Sequence, residues 1–334
     1  MSRPGSGPDA WQHAAPEQIA NRYYDATTWI YRRAWGSSFH FAPLRAHEPR
    51  HVAIRRYEEE VAAALGVAAS SRCLDLGCGV GGPAATIAAA SRARVVGLNA
   101  NLGQLGVVRA TARDRPRLDL HAVGGDFARL PFGSATFDVA YAFEALCHAV
   151  DLDAVFREVH RVLRPGGTFG FSEWCLTEAF DPRDDAHRAL ARQIEVSYGI
   201  AELRSWRVWH EALASAGFRI VRSTDRSSDD GGTVVSAADP KAAPAVDPKA
   251  ASAAEQWYRA LQPRDRSLDS LARLPLVRAL QAAALTVAER VRLAPAGTME
   301  TVRVLRAGTA ALIAAGRRGI FTPMRLVVAA RDPQ

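Results

Sequence analysis

The sequence predicts a doubly wound α/β fold, preceded by helices and carrying a mostly helical segment near its end. Short apolar runs alternate with helical segments from residue 72 onward, a glycine-rich turn follows the first run, and a strand-like run closes the chain. Strands that alternate with helices pair in parallel, because each crossover returns the chain to the same end of the sheet. The 334 residues are 48% hydrophobic and 23% charged, as in a globular protein with a sizeable core.

The N-terminal part, residues 17–65, is predicted to be helical. Within 51–67, apolar residues at 54, 57, 61, 64 and 65 share one helix face, and Gly66 is a natural end. The segment before it, WIYRRAWGSSFHF (29–41), concentrates aromatic rings around a Gly-Ser-Ser turn. Such rings either pack in a core or line the site of an apolar or cationic ligand. Residues 1–10 lack the apolar stretch of a signal peptide and are expected to be disordered.

Seven strands are predicted in order. The first, RCLDLGCGVGGP (72–83), leads into the glycine turn, and the others lie at 93–99, 118–127, 136–144, 166–174, 218–223 and 324–331. The clearest helices between them are at 152–163 and 206–217, with 274–293 and 299–319 before the last strand. If the last strand pairs antiparallel beside the sixth, residues 225–323 are an insertion between neighbouring strands. A chain truncated after residue 223 would then be unstable.

Charge and cysteine usage exclude several classes of protein. The net charge of +7 is carried almost wholly by arginine, with Lys241 and Lys249 the only lysines, and no nucleic-acid-recognition motif accompanies it. We expect no nucleic-acid partner, whereas attraction to anionic lipid stays open. Four cysteines without paired spacing, and His47 and His51 separated by Pro49, predict no metal site. Since no run reaches about 18 apolar residues, we expect a soluble, cytoplasmic protein, with peripheral membrane contact and homo-oligomer formation left open.

The glycine turn LDLGCGVGG places glycines at 77, 79, 81 and 82 directly after a strand. Backbone amides at the following helix N-terminus are then free to contact a ligand. A dinucleotide site would need an acidic residue about 20 positions further on, but Asn99 stands there. Acids instead precede the glycines, at Asp75, and follow the third strand, at Asp126. This pattern does not fit a nicotinamide enzyme.

The series of Asp75, the glycine turn, Asn99, GDF (125–127) and LRPGG (163–167) resembles the class I S-adenosylmethionine-dependent methyltransferases. The resemblance implies a seven-stranded Rossmann-like methyltransferase sheet with S-adenosyl-L-methionine as cofactor. It places the amino-acid part of the cofactor on the first motif, the ribose after the second strand and the adenine amine after the third. The implied cofactor-binding residues are Asp75, Gly77, Gly79, Asn99, Asn101, Gln104, Asp126 and Phe127. Alternatively, Asp75 and Asp126 cap strand ends or form turns and do not contact a cofactor.

Longer stretches narrow the resemblance. YYDATTWIYRRAWGSSFHF, EALCHA, EWCLT and GIFTPMRLVVAARDP are similar to sterol 24-C-methyltransferases. This implies methyl transfer to the Δ24 double bond, at C-24, of a sterol side chain through a carbocation, followed by a hydride shift and proton loss. An alkene needs no base before attack. The site must instead hold the sulfonium in line and provide an apolar slot, π faces near the cation and a late base.

The resemblance and the aromatic segment supply candidate residues for the substrate. Tyr24, Trp35, Phe39 and Phe41 are predicted to line the sterol site, and Glu144, His148, His40 and Tyr31 to be catalytic, by proton removal or cation stabilisation. Glu144 and His148 are four residues apart and would share a face of one helix. Simpler alternatives are core packing for the rings, a polar helix position for His148, and cofactor contact alone for Glu144.

The chain departs from the family at three positions. Trp29 and Arg32 stand where acidic residues are expected, and Leu146 replaces a threonine. We therefore expect Arg32→Glu to leave cofactor binding unchanged and to alter turnover or product pattern. Two other functions stay open. One is methyl transfer to another isoprenoid or phenolic lipid, and the other is lipid binding without catalysis, against which the intact Asp75 and glycine turn argue.

These expectations divide the chain into four parts. Residues 1–70 form a helical segment that lines the substrate site, 71–223 form the cofactor-binding core, 224–255 are a flexible linker rich in Ala, Ser, Asp, Pro and Gly, and 256–334 are the sterol methyltransferase C-terminal region, ending in a core strand. The expected partner is a sterol or a related lipid.

Overall fold

The computed structural model describes residues 9–12, 14–45, 48–227, 257–261, 286–287, 289–291, 295 and 297–333. Most of the predicted linker, the start of the chain and most of the helix predicted at 274–293 therefore lie outside the described residues. Within these ranges, no helix combines the length and the apolar character that crossing a membrane requires.

The helices begin and end close to the predicted positions. They are α1 (Asp9–Gln12), α2 (Pro16–Ala34), α3 (Arg50–Ala64), α4 (Gly82–Ser91), α5 (Leu102–Asp114), α6 (Leu152–Val162), α7 (Asp185–Tyr198), α8 (Trp206–Ser215) and α9 (Thr298–Arg317), with 3₁₀ turns at Leu146–His148 and Trp257–Leu261. α1 begins inside the stretch expected to be disordered, because the Trp11 ring is buried and its Nε1 donates to the carbonyl of Val196 at 3.1 Å. α7 was not predicted, although Asp184 caps its first amides.

The described residues form a seven-stranded sheet, which confirms the predicted α/β class. The strands are β1 (Arg72–Leu76), β2 (Arg94–Asn99), β3 (Leu120–Gly124), β4 (Phe137–Phe143), β5 (Leu163–Leu176), β6 (Phe218–Asp225) and β7 (Phe321–Arg331). Their order is β3-β2-β1-β4-β5-β7-β6, and the first five pair in parallel. The strand order reverses between β1 and β4. In sheets of this kind a ligand crevice opens there, at the carboxyl ends of the strands.

The last strand along the chain is inserted between two earlier strands of the sheet. β7 lies between β5 and β6 and runs antiparallel to both, with Val327 opposite Phe171 on one side and Ser223 on the other. It is buried from Phe321 to Ala329. The chain between β6 and β7 is therefore an insertion between neighbouring strands, as the sequence suggested.

Apolar clusters join the sheet to its helices on both faces. One cluster packs α6 and α8 on the sheet, and a second packs α3, α4 and α5 on the opposite face. A third joins α7, α9 and the Trp257–Leu261 turn to the end of β5. α7 and α9 approach closely because Gly308 lacks a side chain, since a Cβ there would lie 2.5 Å from the Cβ of Ser197. This third cluster forms a wall beside the ligand crevice.

One local prediction is wrong. Glu144 and His148 do not share a helix face, because β4 ends at Phe143 and only His148 belongs to the following 3₁₀ turn. Glu144 has a left-handed backbone with a φ of 49°, which a residue other than glycine rarely adopts. A hydrogen bond from its amide to the carbonyl of Ser172, at 2.8 Å, holds it there. The two side chains therefore reach the crevice from separate elements.

Candidate active site

Two cavities meet at the carboxyl ends of the strands. The first cavity has a volume of about 220 Å³ and lies against the ends of β1, β2 and β4, where the strand order reverses. Every residue predicted to bind the cofactor lines this cavity: Asp75, Gly77, Gly79, Asn99, Asn101, Gln104, Asp126 and Phe127. Local sequence motifs thus converge on one site.

The glycine turn shapes the floor of the first cavity. Gly77 and Gly79 have φ values of 70° and 54°, in the left-handed region that favours glycine. A Cβ on Gly77 would also lie 2.5 Å from the Cβ of Ala145. α4 begins at Gly82 without a side-chain cap, so its first amides stay available to a polar or anionic ligand group.

Asp75 places a buried carboxyl group in the first cavity. It is 2% exposed, and its Oδ2 has no hydrogen-bond partner in the described part of the chain. Burial raises the pKa of Asp75 to about 8, the nearby Glu58 adds to this rise, and His40 opposes it. A buried oxygen without a partner costs free energy, so this position suits a ligand that donates a hydrogen bond or carries positive charge.

The polar residues after β2 fasten α2 over the first cavity. Asn101 Nδ2 donates to Asp25 Oδ1 at 2.7 Å, and Gln104 Nε2 donates to Thr28 Oγ1 at 2.8 Å. Asn99 Nδ2 in turn donates to Gln104 Oε1 at 2.7 Å. The N-terminal helix is thus held by the same side chains that were predicted to contact the cofactor, a link between distant segments that the sequence did not reveal.

Asp126 and Phe127 lie at another part of the same cavity wall. Asp126 is exposed, and its Oδ1 accepts a hydrogen bond from the Ala128 amide at 2.8 Å. The turn-forming role considered as an alternative is therefore present. It engages one carboxyl oxygen and does not remove the side chain from the cavity wall. The partly buried Phe127 ring offers an apolar surface beside it.

The second cavity, of about 150 Å³, lies between α2, α7 and α9. Its wall is largely aromatic and contains Tyr23, Tyr24, Tyr31, Trp35, Phe39, Phe41, Trp174 and Tyr198. The four rings predicted to line the substrate site are all among these residues, together with the predicted catalytic Tyr31. Trp174 and Tyr198 were not predicted, because β5 and α7 lie far from the aromatic segment along the chain. Such walls suit a hydrocarbon group.

Four side chains line both cavities: Tyr24, Phe39, Glu144 and His148. We call this place the junction. A group bound in the first cavity meets a group bound in the second there. Three of these four described residues carry titratable groups: the carboxyl of Glu144, the imidazole of His148 and the hydroxyl of Tyr24, whose pKa burial raises further.

Both carboxyl oxygens of Glu144 accept hydrogen bonds. The Phe41 amide donates to Oε1 at 2.5 Å, and Trp174 Nε1 donates to Oε2 at 2.7 Å. Burial raises the pKa of Glu144 to about 8, while His40 and these two hydrogen bonds oppose the rise. Glu144 is therefore held rigidly, and its ionised form becomes favourable when a positive charge enters the junction.

His148 is neutral at physiological pH, because burial lowers its pKa to about 4. Its Nδ1 lies 2.9 Å from the carbonyl oxygen of Gly199, which can only accept, so Nδ1 carries the proton. Its Nε2 is then unprotonated and accepts a hydrogen bond from the Tyr24 hydroxyl at 3.2 Å. His148 can therefore take up a proton at Nε2.

His40 and Tyr31 lie in different surroundings from those two residues. His40 is 1% exposed and lines the first cavity, with Nδ1 2.8 Å from the Phe41 carbonyl and Nε2 3.0 Å from Glu58 Oε1. Its Nε2 contacts a buried carboxyl group that lies outside both described cavity walls, so the geometry favours a positioning role over proton removal. The Tyr31 hydroxyl lies 2.6 Å from that of Tyr23, and its ring faces the second cavity.

The structure gives no support to the effect expected for Arg32→Glu. The side chain of Arg32 is exposed and belongs to neither cavity wall in the described residues. Trp29 is half-buried and also stays outside the described walls. Both residues sit on α2, but on faces other than the one that carries Tyr24 and Tyr31, so the replaced acids do not bear on the junction.

Glu58 was not predicted, although its place in the sequence indicates burial. It is 1% exposed and contacts His40. In a run of three acids, Glu58 looks like part of a solvated surface. Its position on α3, however, is one turn from Ile54 and next to Tyr57, on the face predicted to be apolar. A carboxylate on such a face is buried and needs a partner.

Comparisons with known proteins agree with this geometry. Residues 74–171 match the family described as methyltransferase domain, and residues 271–334 match the sterol methyltransferase C-terminal family. The chain is 36% identical to the sterol 24-C-methyltransferase of Eremothecium gossypii over 325 residues, which cover 95% of this chain and 81% of that protein. It is 34% identical to the cycloartenol-C-24-methyltransferase of Arabidopsis thaliana over 321 residues, covering 95% and 87%.

Solved structures share the fold at lower identity. The geranyl diphosphate C-methyltransferase of Streptomyces coelicolor A3(2), in complex with S-adenosyl-L-homocysteine, has a TM-score of 0.64 and 16% identity over 96% of this chain and 99% of its own. The [4+2]-cyclase SpnF has a TM-score of 0.66 and 20% identity, covering 96% and 98%. At these identities the likeness shows the fold alone.

Proposed function

The chain belongs to the sterol 24-C-methyltransferase family, and from that premise we infer that it transfers a methyl group from S-adenosyl-L-methionine to C-24 of a sterol side chain at the junction. The observation that carries this inference is the junction itself, where Tyr24, Phe39, Glu144 and His148 line both cavities. One cavity has polar, glycine-rich walls and the other has aromatic walls. This pairing suits a charged methyl donor and an apolar acceptor.

The first cavity fits S-adenosyl-L-methionine, which supplies an electrophilic methyl group when bound. The unpartnered Asp75 Oδ2 and the uncapped amides at the start of α4 would hold its amino-acid part. Asn99 would hold the ribose, and Asp126 with Phe127 the adenine. Asn101 and Gln104 would act by keeping α2 over the ligand, because α2 already engages their side-chain amides.

The second cavity would bind the sterol side chain through its apolar walls. Burial of hydrocarbon contributes roughly 25 cal/mol per Å² removed from water. The rings of Phe39 and Tyr24 stand at the junction, where positive charge develops on the substrate. A desolvated aromatic ring stabilises such a charge by about 2 kcal/mol. The aromatic segment thus serves both binding and catalysis.

Glu144 would balance the positive charge at the junction. Its oxygens are fixed by the Phe41 amide and Trp174 Nε1, so no reorganisation is needed when charge develops. The carboxyl group is buried, and an ionised carboxylate interacts more strongly with a cation in such surroundings than in water. Glu144 would act by electrostatic stabilisation, because a cation at the junction favours its ionised form.

His148 would receive the proton that the substrate cation releases by way of Tyr24: the Tyr24 hydroxyl oxygen takes the substrate proton while its own proton passes to Nε2. Its Nε2 lone pair points to the Tyr24 hydroxyl at the junction, and its Nδ1 proton is bound to the Gly199 carbonyl, which would stabilise the imidazolium that forms. The low pKa of about 4 makes His148 a weak base. A weak base is sufficient, because a carbon acid beside a carbocation is very strongly acidic.

Another isoprenoid or phenolic lipid is the alternative substrate. Oxygen methylation would require a base in contact with the attacking hydroxyl group, and only Glu144 and His148 at the junction could serve, because the other described walls of the second cavity are mainly aromatic and aliphatic. Lipid binding without catalysis is less well supported. The left-handed Gly77 and Gly79 and the unpartnered Asp75 carboxyl are features that a cofactor site needs and a lipid carrier does not.

The test is incubation with labelled S-adenosylmethionine and a panel of sterols. We expect transfer to sterols with a Δ24 double bond and none to their saturated counterparts. His148→Gln is expected to lower turnover by about 10²-fold and to leave the cofactor dissociation constant unchanged in calorimetry. Equal transfer to saturated sterols would contradict the proposal, and absence of cofactor binding would favour the non-catalytic alternative.

A further inference from the structure

Glu58, on α3, makes the central contact of a buried polar cluster behind the first cavity. Its Oε1 accepts a hydrogen bond from Ser38 Oγ at 2.6 Å and lies 3.0 Å from His40 Nε2. Ser38, His40 and Glu58 are 6%, 1% and 1% exposed. In the described ranges, Glu58 belongs to the wall of neither cavity. The cluster therefore contacts the first cavity through the segment that carries Ser38 and His40, and the charge of Glu58 also acts on Asp75.

The geometry of the cluster requires a proton between His40 and Glu58. The Phe41 carbonyl can only accept, so its 2.8 Å contact fixes a proton on His40 Nδ1. Nε2 would then bring a lone pair against the Glu58 carboxylate unless a second proton lies between them. Burial lowers the pKa of His40, but the contact with Glu58 outweighs it and the net shift is upward. The pair is a buried imidazolium–carboxylate contact.

The segment Ser37–Phe41 is held on three sides. Glu58 holds Ser38 and His40, and Glu144 accepts the Phe41 amide at 2.5 Å. Beneath it lies the start of α4, where a Cβ on Gly82 would be 2.2 Å from Ser38 Oγ and 2.4 Å from the Ser37 carbonyl oxygen. The segment thus touches the cofactor helix and the junction at once, and Phe39 within it lines both cavities.

We propose that Glu58 is a positioning residue of the methyl transfer, which fixes the segment Ser37–Phe41 against the start of α4 and the junction by holding Ser38 and protonated His40. This inference rests on the proposed function. Glu58 sets the place of Phe39 relative to both ligands without touching either. Misplacement by about 1 Å at a reacting centre can cost about 10²-fold in rate. Loss of the Glu58 contacts with Ser38 and His40 therefore lowers kcat more than it changes the affinity for either ligand.

The pH dependence follows from the groups around His40. These are Glu58 on α3, Asp75 on β1 and Glu144 after β4, with the Tyr57 ring of α3 beside them. As pH rises through the raised pKa of His40, the proton between Nε2 and Oε1 is lost and the contact becomes repulsive. The wild-type kcat therefore falls on its alkaline side.

Glu58→Gln tests the proposal, because it keeps the size of the side chain and removes the charge. We expect kcat to fall by at least about tenfold, KM and the cofactor dissociation constant to stay within about threefold, and the alkaline fall of kcat to disappear. Amide hydrogen exchange at residues 37–41 is expected to become faster. Glu59→Gln, an exposed neighbour on the same helix, is the matched control and should behave as wild type.

A double-mutant cycle shows whether Glu58 acts through His40. Because Glu58 also holds Ser38, Glu58→Gln should slow the His40→Asn variant by less than it slows the wild type. Additive losses, or a Glu58→Gln variant with wild-type kcat and exchange rates, would overturn the proposal. If Glu58→Gln fails to fold, Ser38→Ala replaces it, and wild-type kcat and exchange in that variant would overturn the proposal equally. Absence of methyl transfer by the wild type would contradict the proposed function. The amide exchange rates of residues 37–41 in Glu58→Gln would still show whether Glu58 holds this segment.

Discussion

Asp75 and Glu144 are two buried carboxyl groups on the wall of one cavity, and burial raises the pKa of each to about 8. At pH 7 both are mostly protonated while the site lacks a cation. A sulfonium cation favours their ionised forms and lowers both pKa values. The charge of the ligand and the protonation of the site are therefore coupled at the scale of single residues.

The first prediction is that binding of S-adenosylmethionine releases protons. On the order of one proton per site should leave at pH 7, and binding should tighten as pH rises from 7 towards 8. Calorimetry in two buffers with different ionisation enthalpies measures the release. Binding of S-adenosyl-L-homocysteine, which lacks the sulfonium charge, should release fewer protons. Binding of S-adenosylmethionine to the Asp75→Asn variant should also release fewer protons than binding to the wild type. Observed heats that do not depend on the buffer would contradict this coupling.

The second prediction compares an exposed residue of the aromatic segment, Arg32, with one that lies at the junction, Phe39. Arg32→Glu should leave kcat and KM within about twofold of wild type, because surface changes away from a site have small effects and this side chain is exposed. Phe39→Leu should lower kcat by up to about thirtyfold, the value of one lost cation–π contact. Steady-state kinetics with one Δ24 sterol checks both. A larger effect at Arg32 than at Phe39 would place the reaction centre elsewhere.

At the scale of elements, α2 joins the two cavities. Its residues Asp25 and Thr28 bind the polar side chains after β2, while Tyr24 and Tyr31 face the second cavity. One helix thus closes the cofactor site and lines the substrate site. The Ser37–Phe41 segment that follows packs on the first turn of α4, so the position of α2 and the position of the cofactor helix depend on each other.

The third prediction tests that packing with a pair of glycines. Gly82→Ala would place a Cβ 2.2 Å from Ser38 Oγ, and the forced shift should cost about 1–3 kcal/mol of stability together with cofactor affinity. Gly106→Ala, on the exposed side of α5 with no atom within 4 Å of the new Cβ, should instead stabilise the fold by about 0.5–1 kcal/mol. Chemical unfolding and calorimetry measure both. Equal effects of the two changes would argue against the tight contact at Gly82.

At the scale of the whole molecule, β7 is an interior strand of the sheet, between β5 and the edge strand β6. β7 is buried over most of its length and supplies the neighbours of both β5 and β6. Ser172 and Glu173 of β5, which lie next to the junction residues, pair with Leu326 and Arg325 of this strand. The strand that carries Ser172 and Glu173 therefore depends on β7 for its pairing beside the active site.

The fourth prediction concerns truncation. A chain that ends at residue 223 lacks β7, leaves β6 without its partner strand and exposes an apolar edge of β5, so it should show no cooperative unfolding transition. A chain that ends at Arg331 keeps the whole of β7 and should unfold as the full chain does. Thermal unfolding followed by circular dichroism distinguishes the two. A cooperative transition in the shorter chain would show that β7 is dispensable.

The sequence by itself determined the α/β class and the approximate strand positions, because apolar runs, glycine turns and helix periodicity act through short-range rules. The eight residues predicted for the first cavity came from the resemblance of Asp75, the glycine turn, Asn99 and Asp126 to methyltransferase motifs, and all eight lie at its wall.

Only the tertiary structure decided which residues meet across the chain. It placed Glu58 behind His40, Trp174 on Glu144 and Tyr24 on His148, and it removed Arg32 from the site. The physical reason is that burial and hydrogen-bond partners arise from the packing of elements distant in sequence. A run of acidic residues, or a helix rich in aromatic residues, has the same local sequence pattern whether it faces water or a ligand.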